Sequence, residues 1–219
     1  EVARLARDRG MAVLLVTGQC PDDAADIADA FLGKPHGPSA LIGALRAIEA
    51  GVDGLIVASV GEERDLLDSL ASVRTPMVIV DRALDGVDAD LVRVDHEQGA
   101  YLATRHLIER GHREIAFFGG HADSSSCEQR RAGYQQALGE AGLSVTPQWL
   151  IESAPNRLEA ARRVDELFVG GGRPSAAVCY NDTVALGLML GLNSRGIRPG
   201  GDFAVTGFDD ISEAAVAVP

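Results

Sequence analysis

The stretch Ala176 to Asp210, AAVCYNDTVALGLMLGLNSRGIRPGGDFAVTGFDD, decides the fold. Its first apolar run, Ala176 to Tyr180, is short and β-prone and ends in Asn181-Asp182 at the start of a helical pattern. Its second, Phe203 to Thr206, ends in Gly207-Phe208-Asp209-Asp210. Strand, helix and strand in this order make one βαβ unit. In such units small molecules bind outside the carboxyl ends of the strands, where both polar clusters fall.

The same alternation runs outward along the chain and predicts parallel βα units throughout. Strands are expected near Met11 to Thr17, Asp53 to Ser59, Met77 to Asp81, Leu91 to Asp95, Ile115 to Gly119 and Trp149 to Glu152, besides the two above. The helices between them carry apolar stripes at helical spacing: Leu41, Ala44, Leu45 and Ile48; Ala100, Ala103 and Leu107; Tyr134, Ala137, Leu138 and Ala141; Val184, Leu188 and Leu192. Gly51, Gly111, Gly142 and Gly196 fall just after these segments, where a left-handed C-terminal cap favours glycine. The Gly33 to Ser39 segment, GKPHGPS, reads as a loop that splits one helical region in two, and Gly170 to Pro174 reads as a turn. The chain opens inside a helical pattern and stops soon after a polar cluster, which reads as a fragment of a longer protein.

A chain of 219 residues with 46% hydrophobic side chains can bury a real core. No run reaches the ~20 apolar residues of a membrane span, and EVARLARDRG is a charged helix rather than a secretory signal, so a cytoplasmic protein is expected. The net charge of −12 and the absence of a basic stripe argue against a grip on a nucleic-acid backbone by this segment. Cys20, Cys127 and Cys179 are an odd number at wide spacing, which fits neither a disulfide framework nor a zinc site; Cys179 reads as a small buried hydrophobe.

Several polar residues sit where a ligand would be met. Asn181 and Asp182 both suit a helix N-cap, but one helix start uses one cap, and an amide both donates to and accepts from a ligand hydroxyl. Asp209 and Asp210 end one strand and Asp81 ends another, PMVIVD; each reads as a turn residue or as an acceptor for paired hydroxyls. Gly119 to Ser126, GGHADSSS, places Ser124, Ser125 and Ser126 between a strand and a helix, as a capped loop or as a receiver of ligand oxygens. Arg130 reads as a ligand fork, or else as a solvated helix arginine paired with Glu128 or Glu140. The five histidines lack metal-ligand spacing, no serine lies in a G-x-S-x-G elbow, and no P-loop or dinucleotide fingerprint is present. No enzyme, metal or cofactor is expected.

Six blocks in register carry a resemblance: Gly51 to Val57; Thr75 to Arg82; Val94-Asp95 with Gly99, His106 to His112 and Ile115-Ala116; Arg130 to Tyr134; Tyr180-Asn181-Asp182 with Ala185 to Gly187; and Val205 to Asp210. Together they resemble the LacI/GalR family of bacterial transcription regulators over nearly the whole chain. The resemblance implies an α/β chain of the type I periplasmic-binding-protein fold: two Rossmann-like subdomains with parallel sheets and an interdomain ligand cleft. Residues 1–94 would be most of the N-terminal subdomain, lacking its first strand, and 95–219 most of the C-terminal one, incomplete at its end. Carried over by position, Asp81, Arg130, Asn181 and Asp209 look like the polar residues that hold the effector, with Ser124, Ser125 and Ser126 lining the same cleft. Where the family often stacks an aromatic ring on the ligand, this sequence reads Ala154-Pro155-Asn156-Arg157.

The function implied is effector sensing in a homodimeric regulator, with a small sugar-like molecule in the cleft and operator DNA bound only through an N-terminal helix-turn-helix that this chain lacks. Binding would favour the closed state and shift operator affinity by its difference in affinity for the two states. Two rivals use the same architecture: a periplasmic sugar-binding protein of a transport system, and a Rossmann-like enzyme. The second has no nucleophile, base or cofactor loop to offer.

Overall fold

The computed structural model describes residues 14–17, 30–33, 54–58, 68, 70–81, 86–122 and 124–217. The chain divides into two compact units, Glu1–Val94 and Asp95–Pro219. In the first, strands β1 (Leu14–Thr17), β2 (Ala30–Gly33), β3 (Leu55–Ala58), β4 (Met77–Val80) and β5 (Asp90–Val92) form a parallel sheet in the order β2-β1-β3-β4-β5. β2 corrects part of the sequence reading: AFLG, up to and including the first glycine of GKPHGPS, is a strand at the edge of the sheet and not helix, and residues 34–39 lie outside the described residues. Four apolar residues are too few for periodicity to separate strand from helix. The Leu41–Ile48 stripe, the cap at Gly51 and Cys20 lie outside the described residues.

The second unit holds β6 (Ile115–Phe118), β7 (Leu150–Ile151), β8 (Ala176–Cys179) and β9 (Ala204–Thr206), all parallel, in the order β7-β6-β8-β9. Its helices are α1 (His96–Glu109), α2 (Ser125–Glu140), α3 (Arg157–Arg163), α4 (Asp182–Ser194) and α5 (Ser212–Val216). The central strands β6 and β8 are buried along their whole length, as parallel strands covered on both faces must be. Because successive side chains point to opposite faces, the two strands divide into two cores. Ile115, Phe117, Ala176 and Val178 pack with Leu107, Tyr134 and Leu138 of α1 and α2. Ala116, Phe118, Ala177 and Cys179 pack with Ala160, Leu188 and Leu192 of α3 and α4. The layers are helix pair, sheet, helix pair.

Local signals place the ends of these elements. The Asp95 carboxylate accepts from Gln98 N at 2.9 Å to start α1, and Asn156 Oδ1 accepts from Glu159 N at 2.8 Å to start α3. Gly111, Gly142 and Gly196 follow α1, α2 and α4 with positive φ, as the periodic stripes predict. His112 Nδ1 lies 2.9 Å from Ser175 Oγ and ties the end of α1 to the entry of β8. Cys127 and Cys179 are free and buried, and burial pushes both thiols above their ordinary range. Cys179 packs as the small hydrophobe its sequence suggests.

Candidate functional site

The order β7-β6-β8-β9 reverses direction between β6 and β8, and the chain segments leaving those strands diverge to opposite faces. Three loops meet at this carboxyl edge. After β6 come Gly119 and Gly120, both at positive φ; a side chain at the first would meet Val184, and one at the second would meet Cys127 and Tyr180. After β8 come Tyr180, Asn181 and Asp182, and after β9 come Gly207, Phe208, Asp209 and Asp210.

The two polar clusters of the 176–210 stretch are bonded to each other. Asp182 N donates to Phe208 O at 2.8 Å, and its buried carboxylate accepts from Ile211 N at 3.0 Å. Gly207 lies so close to this carboxylate that no Cβ fits. Asn181 is the N-cap of α4, its Oδ1 accepting from Val184 N at 3.0 Å. The residue pair thus divides the labour: Asn181 caps the helix, and Asp182 holds the loop after β9. The Asn181 Nδ2 amide has no hydrogen-bond partner among the described residues. Asp182→Ala is expected to destabilise the protein by about 1–3 kcal/mol, the range for a buried donor left without its acceptor; thermal unfolding measures it, and an unchanged Tm would show that the loop holds itself.

Arg130 occupies the middle of the edge. Neither solvent nor Glu128 or Glu140 holds it: its side chain is 7% exposed. Its Nε and NH2 lie 3.3 and 3.2 Å from His96 Nδ1, NH1 donates to Tyr180 O, and NH2 donates to Asp209 Oδ1 at 3.3 Å. The guanidinium carbon sits 3.8 Å from the Phe208 ring centroid and 4.6 Å from that of Tyr180, a cation between two aromatic faces. Beside it runs a chain of hydroxyls, Ser124 Oγ to Ser126 Oγ at 3.0 Å and Ser126 Oγ to Tyr180 Oη at 2.9 Å. Ser125 is exposed on the first turn of α2, outside this chain. A cavity of ≈ 390 Å³ opens against Asp182, Gly207, Phe208, Asp209, Asp210 and Ala214.

Backbone conformation singles out the acidic residues independently. Asp81 (φ 83), Asp209 (φ 103) and Asp210 (φ 54) are the non-glycine residues at positive φ among those described. The first two lie beyond the usual left-handed well, a strained geometry that concentrates at binding sites. Asp81 directly follows β4 in the first unit, with its N–H donating to Val92 O at 2.9 Å. Of the sequence candidates, Arg130, Asn181, Asp209, Ser124 and Ser126 meet at one edge of the second unit. His96, Tyr180 and Phe208 lie outside the sequence candidates: Tyr180 and Phe208 fall inside the Tyr180-Asn181-Asp182 and Val205 to Asp210 blocks, whereas His96 follows Asp95 with no signal of its own. Among the described residues there is no metal-binding cluster and no helix long and apolar enough to cross a membrane.

A parallel α/β unit with hydrogen-bonding groups at the carboxyl ends of its strands and a cavity beside the loop after β9 has the architecture of a small-molecule-binding core. Residues 21–218 match the family of periplasmic binding proteins and sugar-binding domains of the LacI family. The chain belongs to that family, as the effector-binding, periplasmic-binding-protein-like part of a LacI/GalR regulator, and has the type I periplasmic-binding-protein fold. It is 40% identical over 174 residues to the HTH-type transcriptional repressor PurR of Vibrio atlanticus, covering 78% of this chain and 52% of that protein. The PurR repressor of Photobacterium profundum is 35% identical over 172 residues, with the same coverage. The chain thus spans about half the length of these curated relatives. Among solved structures, a sugar-binding LacI-family regulator from Escherichia coli in complex with phosphate is 27% identical, with a TM-score of 0.73 over 100% of this chain and 73% of that one. A LacI-family regulator from Sanguibacter keddieii is 27% identical, with a TM-score of 0.75 over 94% and 79%.

Proposed function

We propose that this chain senses a small, uncharged, polyhydroxylated effector, a sugar or a sugar derivative such as a nucleoside, and so controls the operator affinity of a cytoplasmic, homodimeric repressor. DNA binding belongs to a helix-turn-helix outside the 219 residues. Arg130, Asp209, Asn181, Ser124 and Ser126 are the proposed contacts, all from the second unit. The observation that carries the reading is the setting of Arg130: a guanidinium fixed between two rings and three acceptors, beside a cavity, has one N–H left over from its five donors.

Charge narrows the ligand. One arginine pairs with Asp209, while Asp209, Asp210 and the buried Asp182 all line the cavity, so the edge carries more negative than positive charge and disfavours a phosphorylated effector. The chain of three hydroxyls can reverse its donors and acceptors, which suits a ligand rich in hydroxyl groups. The repressor names of the relatives favour a regulator over a transport protein.

A thermal-shift screen of monosaccharides, nucleosides and sugar phosphates tests this. An effector at a hundred times its Kd stabilises the native state by about 2.7 kcal/mol, which raises Tm by about 5–10 °C in a chain of this size. Stabilisation by sugar phosphates alone would overturn the charge argument, and turnover of any member of the panel would overturn the sensing role.

A further inference from the structure

We propose that His96, the first residue of α1, is a positioning residue that presets the Arg130 guanidinium for the effector; this rests on the reading that Arg130 contacts that effector. His96 is 4% exposed, and its Nδ1 faces the Nε/NH2 edge of Arg130 at 3.3 and 3.2 Å. Arginine only donates, so Nδ1 carries a lone pair here and the ring proton is on Nε2. One acceptor meeting two N–H groups fixes the rotation of the whole planar fork. With that edge fixed, NH1 is directed to Tyr180 O and the outer N–H of NH2 to Asp209.

The same turn of helix fixes the ring above the guanidinium. The His96 ring lies 5.9 Å from that of Phe208, and Gly99, one turn on, leaves the space that the Phe208 ring fills. His96 and Gly99 therefore form one seat for both halves of the stacked pair. A contact group held in place before binding costs less ordering entropy when the ligand arrives, so the seat acts on affinity through Arg130 without touching the effector.

Asparagine places its Oδ1 where the imidazole carries Nδ1, glutamine places its acceptor one bond farther out, and leucine keeps volume with no acceptor. Nitrogen-15 NMR of the Arg130 Nε–H and calorimetry with D-ribose and adenosine as probes are read on His96→Leu, His96→Gln, His96→Asn and Arg130→Lys. Loss of one hydrogen bond to a charged group makes the Arg130 Nε proton exchange about tenfold faster in His96→Leu and His96→Gln, with probe affinity falling by a similar factor. His96→Asn restores both to within about threefold. Undiminished protection in His96→Leu and His96→Gln, or no rescue by asparagine, overturns the positioning role. If His96→Leu does not fold, the contrast between glutamine and asparagine decides. Unchanged probe affinity in Arg130→Lys overturns the site reading instead, while the exchange measurement still reports on His96.

Discussion

Arg130→Lys is expected to weaken effector binding about a hundredfold, close to 2.7 kcal/mol, while the domain stays folded. Lysine keeps a positive charge between the rings of Phe208 and Tyr180, so the cation-π contacts survive in part. It loses the planar fork. An ammonium offers three donors from one point and cannot span the His96 Nδ1, the Tyr180 carbonyl and Asp209 while aiming a further N–H at a ligand. Hydrogen bonds involving a charged partner are worth about 1.5–3 kcal/mol each, so a misdirected donor accounts for most of the loss. Calorimetry against whichever compound the thermal screen identifies gives the number, with circular dichroism as the folding control. Wild-type affinity in the lysine variant would remove Arg130 from the contacts. Alanine is the poorer test, contrary to what a loop or helix-end position would suggest, because the buried arginine ties α2, β8 and the loop after β9 together. Its removal would mix a binding effect with a stability effect.

The architecture was legible in the 176–210 stretch because its two short apolar runs are bounded by polar turn residues and separated by one helical stripe, an order that reads as a βαβ unit. β2 escaped because AFLG continues, with no turn residue before it, from DDAADIAD, whose composition reads as helical. The edge residues were legible as strand-end polars, but their partners were not. Sequence can show that Asn181 and Asp182 are both good caps; only the fold shows that Asp182 reaches across to Ile211 N. His96 escaped for the same reason. Its contact with Arg130 spans the interval between two helices, and a lone histidine after a capping aspartate carries no spacing signal. The strained φ of Asp81 and Asp209 is likewise a property of the folded backbone, invisible in a residue type that also populates ordinary turns.

Gly133→Ala is expected to destabilise the second unit by about 2–3 kcal/mol, the cost of forcing a methyl into a packed interface, and to lower Tm by about 5–10 °C. In an isolated helix the same change would stabilise by up to about 1 kcal/mol, since alanine is the better helix former. The sign reverses because of what α2 packs against. A Cβ at Gly133 would overlap the Glu97 carbonyl oxygen and come within 2.9 Å of both Glu97 C and Tyr101 N, all of them backbone atoms of α1. A flexible side-chain end can swing away, but a helix backbone moves only as a body. Gly139 supplies the control in the same helix, because a Cβ there meets nothing within 4 Å. Gly139→Ala should therefore be neutral or mildly stabilising. Equal thermal stability of the two variants would show that α1 shifts freely over α2. The displacement has a second consequence, because Glu97 is the residue after His96. Pushing α1 off α2 moves the Nδ1 acceptor away from Arg130, which sits on α2 within one turn of Gly133. Gly133→Ala should then lose effector affinity along with stability, whereas Gly139→Ala should keep both.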